Sequence, residues 1–144
     1  ILILCADNST RSQIAESFLK SVNNRLEVIS AGIRPAKRIH PKAFLIMVEK
    51  GYFLDDHFPK SVDQFVSDSF DYVITLCNEA NISCPSFIGE VKHRIHMDLE
   101  DPAKVIGSEE YIFSEFRRIR DETERKVKQF YEQNIKPYLD SSEN

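Results

Sequence analysis

At 144 residues and 42% hydrophobic, the chain can bury one core but not two. Its 19 Lys and Arg against 23 Asp and Glu leave a net charge of −4, which argues against a general nucleic-acid surface. The longest apolar runs, Ile1 to Ala6 and Ala43 to Val48, are six residues each, against the roughly 20 that a membrane-spanning helix needs.

Ile1 to Cys5 is short and continuously apolar, the pattern of a strand buried on both faces of a parallel sheet. It stops at a polar turn, Asp7-Asn8-Ser9. From Ser9 onward Ile14, Ala15, Phe18, Leu19 and Val22 recur at helical spacing. Leu26 to Ser30 predicts a second strand ended by Ala31-Gly32. Pro41 opens a second helix, Ala43 to Lys50, that Gly51 closes. Ser61 to Val66 suits a short helix, Tyr72 to Cys77 a third strand and Glu90 to Met97 a fourth. Ser108 caps the last long helix, with Glu109 and Glu110 in its first turn. Ile112, Phe113, Phe116, Ile119, Val127, Phe130 and Tyr131 form its apolar stripe. The polar end, Asp140 to Asn144, is expected to fray. Strands alternating with helices predict an α/β fold: one domain over residues 1–144, a four-stranded parallel sheet with helices on both faces.

Three cysteines are too few, and odd in number, for a secreted disulfide scaffold. The apolar start has neither a basic leader nor a cleavage site, so a cytoplasmic protein is expected. In parallel α/β folds ligands bind beyond the carboxyl ends of the strands, where Cys5 and Cys77 both fall. Five residues separate Cys5 from Arg11. A loop of that length leading into a helix can turn its backbone N–H groups onto one anion. Arg11 would add a planar fork for two oxygens of a tetrahedral oxyanion, and this positive setting is expected to lower the Cys5 pKa. Taken singly, each residue has a plainer reading. Cys5 and Cys77 could be core filling, Arg11 a solvated helix residue, Cys84 an incidental turn residue and Asp101 a turn starter before Pro102. Zinc bound by Cys77, Cys84, His93 and His96 is disfavoured, because two histidines three apart in a strand face opposite sides. His40 and His57 are expected to be surface or loop residues, His40 with a supporting role near the loop.

Together these residues resemble a family. The stretch from Cys5 through Arg11-Ser12-Gln13-Ile14-Ala15-Glu16 is similar to the oxyanion loop and first helix of the low-molecular-weight protein tyrosine phosphatase superfamily, in the form seen in its arsenate reductase branch. Ser30-Ala31-Gly32, His40-Pro41-Lys42-Ala43 and Asp101-Pro102-Ala103 fit the same branch, and Cys77 and Cys84, with six residues between them, match the two further thiols of its thioredoxin-coupled members. The resemblance implies that Ala6, Asp7, Asn8, Ser9, Thr10, Arg11 and Ser12 bind the oxyanion. It implies that Cys5 attacks arsenate, that Asp101 protonates the departing oxygen and that Cys77 resolves the adduct. Cys84 then moves the disulfide to Cys77–Cys84 for thioredoxin to reduce. That transfer requires Asn78 to Ile88 to be mobile. Many relatives have Gly or His where Asp7 stands, and a carboxylate there opposes anion binding unless it points outward. Some bind potassium near the equivalents of Asn8, Glu16 and Ser30; no cation is expected here, and neither is a bound cofactor. A monomer that engages neither nucleic acid nor membrane is expected. Two alternatives share the loop: a phosphatase, whose usual tyrosine pair is missing from Ala103-Lys104-Val105, and a non-catalytic oxyanion-binding module.

Overall fold

A computed structural model describes residues 1–142. The strands are β1 (Leu2–Cys5), β2 (Ile29–Gly32), β3 (Phe70–Thr75) and β4 (Val91–His96), all parallel, in the order β2-β1-β3-β4. The helices are α1 (Arg11–Val22), α2 (Pro41–Val48), α3 (Asn78–Ile82), α4 (Glu109–Phe130) and α5 (Lys136–Ser142). The predicted four-stranded parallel sheet is therefore present.

Every residue of β1 is buried, as its unbroken apolar run requires of a central strand. Burying Leu2, Ile3 and Leu4 contributes roughly 1.5–3 kcal/mol each. β2 and β3 flank β1, with Leu4 opposite Ala31 on one side and Thr75 on the other. Ile14, Ala15, Phe18 and Leu19 of α1 are fully buried, and α1 and α2 both pack against α4 through Phe116, Ile119 and Ile46. Ser108 accepts the Tyr111 N–H as the predicted cap of α4. Gly51, at φ +82°, closes α2 in a conformation that a side chain would strain.

Three differences from the sequence expectations have local causes. β2 begins at Ile29 rather than Leu26, because Leu26 donates to the Asn23 carbonyl in a turn before the chain reaches β1. The segment after Cys77 is a short helix, α3, capped by the Cys77 side chain. The end does not fray at Asp140. Past Phe130 a wide π-type turn, Tyr131–Ile135, leads into α5, which runs to Ser142. Pro137 is the second residue of α5, where its missing N–H falls among the unpaired donors of a helix start, and the widened turn sits just ahead of it. The remainder of the expected frayed tail, residues 143 and 144, lies outside the described residues. Among the described residues no helix is long and apolar enough to cross a membrane.

Candidate active site

The loop from Cys5 to Arg11 gets its shape from outside itself. The Cys5, Ala6 and Asp7 carbonyls accept N–H groups of Ile33, Arg34 and Ala36 at 3.2, 2.8 and 2.9 Å, and the Ser9 carbonyl accepts His40 N–H at 3.0 Å. The Asn8 carbonyl takes Gln13 Nε2 at 3.0 Å, and the Thr10 carbonyl takes Ile14 N–H. With the carbonyls drawn outward, the loop turns its N–H groups inward, which makes a concave anion nest at the start of α1. No acidic side chain occupies the first turn of α1 to compete for that end. The Thr10 hydroxyl, buried at the helix start, lacks a partner among the described residues, and an oxyanion would satisfy it.

Asn8 is the pivot of the loop. It adopts φ +56°, a left-handed conformation that Asn tolerates better than other side chains. Its Nδ2 donates to Ser12 Oγ at 2.7 Å and Ser30 Oγ at 2.9 Å, and its Oδ1 accepts Lys60 N–H at 3.1 Å. β2 supplies the floor: a side chain at Gly32 would lie 3.0 Å from both the Ala6 oxygen and the Asp7 carbonyl carbon, tighter than ordinary contact, so any larger residue would push the loop back by a few tenths of an ångström.

Arg11 is 7% exposed; its Nη1 donates to the Leu99 carbonyl at 3.1 Å, and its Nη2 lies 3.5 Å from Asp101 Oδ2. Asp101 Oδ1 accepts Ala103 N–H at 3.0 Å, which fixes the carboxylate at the head of the Pro102–Lys104 turn. Cys5 Sγ donates to Cys77 Sγ at 3.8 Å, and Cys77 also accepts the Ala80 N–H at the start of α3. Arg11, the loop, Cys5, Cys77 and Asp101 thus converge. Cys84 stands apart, half-buried, with Arg94 Nη1 3.7 Å from its sulfur. All three thiols are free.

The expected lowering of Cys5 is overturned for this state of the site. Arg11 does pull the Cys5 pKa down, but the hydrogen bond to Cys77 and burial outweigh it, and Cys5 holds its proton. Cys77 carries the charge, its pKa lowered to about 6 by the Cys5 hydrogen bond, with help from the Ala80 N–H and Arg11 against burial.

Sequence reading missed the network behind the loop. His57 Nδ1 lies 2.9 Å from Gln13 Oε1 and 3.0 Å from Glu16 Oε2, while Glu16 Oε1 accepts Ser30 N–H at 2.9 Å and Lys20 stands 3.4 Å from Oε2. His57 lies on a loop, as expected, and packs against α1 through these contacts. Burial pushes its pKa down against the pull of Glu16. These contacts fall on the residues of the potassium site of the resemblance: the Asn8 Oδ1 accepts the Lys60 N–H, and the Glu16 oxygens face Ser30 N–H, His57 and Lys20. His40 is the cap of α2, its Nδ1 accepting Lys42 N–H at 3.1 Å, and its backbone holds the Ser9 carbonyl. His93 stacks on Tyr72, and His96 bonds Thr75 Oγ1 at 2.8 Å. Among the described residues no cluster of three or more His, Cys, Asp or Glu is placed to hold a metal.

Comparison with known proteins agrees with this geometry. The family model described as low molecular weight phosphotyrosine protein phosphatase matches residues 1–138. An arsenate reductase of Halalkalibacterium halodurans is 38% identical over 133 residues, 92% of this chain and 94% of that protein. A solved arsenate reductase in a phosphate-binding state superposes with a TM-score of 0.70 at 25% identity, covering 90% of this chain and 93% of its own. The thioredoxin-dependent arsenate reductase of Corynebacterium glutamicum superposes with a TM-score of 0.55 at 30% identity, over 89% of this chain and 61% of its own.

Proposed function

The chain belongs to the low molecular weight phosphotyrosine protein phosphatase family, and from that premise we propose that it is an arsenate reductase working through Cys5, Cys77 and Cys84, with thioredoxin as its reductant. The observation that carries this reading is the 3.8 Å separation of the Cys5 and Cys77 sulfurs beside the oxyanion loop. A phosphatase needs one nucleophilic thiol, whereas reduction of arsenic(V) to arsenic(III) takes two electrons and therefore a second thiol within reach.

Arsenate enters the nest with its oxygens on the loop N–H groups, the Thr10 hydroxyl and Arg11. The Cys5 proton moves to Cys77 along their contact, and the Cys5 thiolate attacks arsenic. The Asp101 carboxylate takes a proton from one arsenate hydroxyl and passes it to another, which leaves as water as the S–As bond forms. Cys77 passes its proton to the Asp101 carboxylate and, as a thiolate beside the Ala80 N–H, attacks Cys5 Sγ. The new S–S bond forms as the S–As bond breaks, its electron pair stays on arsenic, and arsenite departs. Cys84 next attacks Cys77, which frees Cys5 as a thiolate and leaves a Cys77–Cys84 disulfide near the surface. The dithiol of thioredoxin reduces that disulfide and is oxidised in turn. The transfer requires α3 and the segment to Ile88 to move. Arg94 beside Cys84 and the exposure of Ile82 and Ile88 support an accessible third thiol.

The test is arsenate-dependent NADPH oxidation with thioredoxin and thioredoxin reductase, alongside p-nitrophenyl phosphate hydrolysis. Turnover that needs both arsenate and thioredoxin and disappears in Cys77→Ser is the expected result. Brisk ester hydrolysis without arsenate turnover would make the protein a phosphatase with two accessory thiols.

A further inference from the structure

We propose that Asp7 makes the loop selective for tetrahedral oxyanions that still carry a hydroxyl, as arsenate and phosphate do, over sulfate, which carries none at neutral pH. The inference deepens the reading of the loop as the oxyanion site and depends on it. Asp7 Oδ1 accepts the Ser9 N–H at 3.2 Å, so the carboxylate engages one of the loop amides. Its other oxygen meets no donor among the described residues, and the residue is only partly buried between the fully enclosed Cys5 and Asn8. Its backbone carbonyl is held from outside by the Ala36 N–H at 2.9 Å, so Asp7 keeps its place on the same loop that ends at Arg11.

An ionised carboxylate can only accept a hydrogen bond. Beside a bound anion, an As–OH or P–OH gives it a short charge-assisted bond, while a bare oxygen meets an uncompensated like charge. Arg11 and the loop amides attract all such anions alike, and the Asp101 carboxylate is already engaged by Arg11 and the Ala103 N–H, so the discrimination is assigned to Asp7. A site arranged to pair with a substrate hydroxyl rejects the analogue that lacks it, by up to about 10⁴-fold when fully buried and by roughly tenfold to a hundredfold at a half-exposed carboxylate.

Calorimetric titration of the full chain with inorganic phosphate and with sulfate, at neutral pH and matched ionic strength, tests this in the unaltered protein, Asp7→Asn and Asp7→Gly. The unaltered protein is expected to bind phosphate at least about tenfold more tightly than sulfate. In both variants sulfate should tighten by about tenfold, while phosphate changes by no more than about threefold. Equal affinities in the unaltered protein, or a ratio that Asp7→Asn leaves in place, would overturn the proposal. Loss of both anions from a folded Asp7→Asn protein would overturn it too, by reducing Asp7 to a brace for the loop. The unaltered protein's own preference decides the matter if a variant fails to fold. Selective binding without arsenate turnover would sink the reductase reading and leave this one intact.

Discussion

The oxyanion loop and the segment that follows Cys77 lie at the same edge of the sheet but are held in different ways. Around the loop, Cys5, Asn8, Thr10, Arg11 and Ser12 are almost wholly buried, and each carbonyl from Cys5 to Thr10 has a donor from another part of the chain or from α1. Past Cys77, Ile82 and Ile88 are 81% and 83% exposed. That segment is tied down by an ion pair between Arg34 and Glu79, the Arg94–Cys84 contact and the packing of Phe87 on Phe70. The first region is held from many sides; the second rests on fewer ties, among them the Ile88 N–H on the Val66 carbonyl at 2.7 Å. A relay needs both, since displacement at arsenic rewards fixed geometry and carrying a disulfide outward rewards a weak hold.

The contrast can be broken most severely at the rigid end. Arg11→Lys keeps the charge but loses the fork that spans two oxygens, Leu99 and Asp101, and should lower kcat/KM for both arsenate and p-nitrophenyl phosphate by about 10²–10³-fold. A loss under tenfold would mean that the loop amides hold the anion unaided. Asn8→Ala places a less tolerant residue at φ +56° and removes three side-chain hydrogen bonds, so urea unfolding should show a loss of about 2–4 kcal/mol. At the mobile end, Cys84→Ser should leave the first turnover untouched and stop the second. Rapid quench would then count one arsenite per protein and a trapped Cys5–Cys77 disulfide, whereas multiple turnover with thioredoxin would end the three-thiol scheme. Titration by thiolate absorbance sharpens the comparison further. The charged form gains as pH rises through the pKa, so a thiolate should appear around pH 6. In Cys5→Ala, where Cys77 loses its S–H donor, that step should move upward. The smallest effect is expected for Glu79→Gln: its partner Arg34 is well exposed, so stability should change by less than about 1 kcal/mol, while transfer to Cys84 keeps or gains rate.

What the sequence disclosed follows the same division. The end of β1 at Cys5 could be read from its unbroken apolar run, and the loop from its position between β1 and an amphipathic helix, because those signals are local. The third strand, expected over Tyr72 to Cys77, spans Phe70–Thr75, since Cys77 leaves the ladder to cap α3. The Gln13–Glu16–His57 network could not be read, since it joins α1 to a segment about 40 residues away through polar side chains that carry no periodicity. α3 escaped notice because its cap is a cysteine sulfur, outside the usual Ser, Thr, Asp and Asn signals. The charge state of the thiols depends on one proton shared across two strands, which no linear pattern records.

β1 and β3 are adjacent rungs of one ladder, and Leu76 donates to the Leu4 carbonyl just before the two thiols emerge. The 3.8 Å approach of the two sulfurs is therefore gauged by the interstrand repeat of about 4.8 Å, a constant of backbone chemistry. Insertions, deletions or rewritten surfaces between residues 33 and 69 can retune substrate access or partner choice and leave that ruler unchanged. Chemistry gauged by the sheet in this way can persist while the rest of the surface diverges.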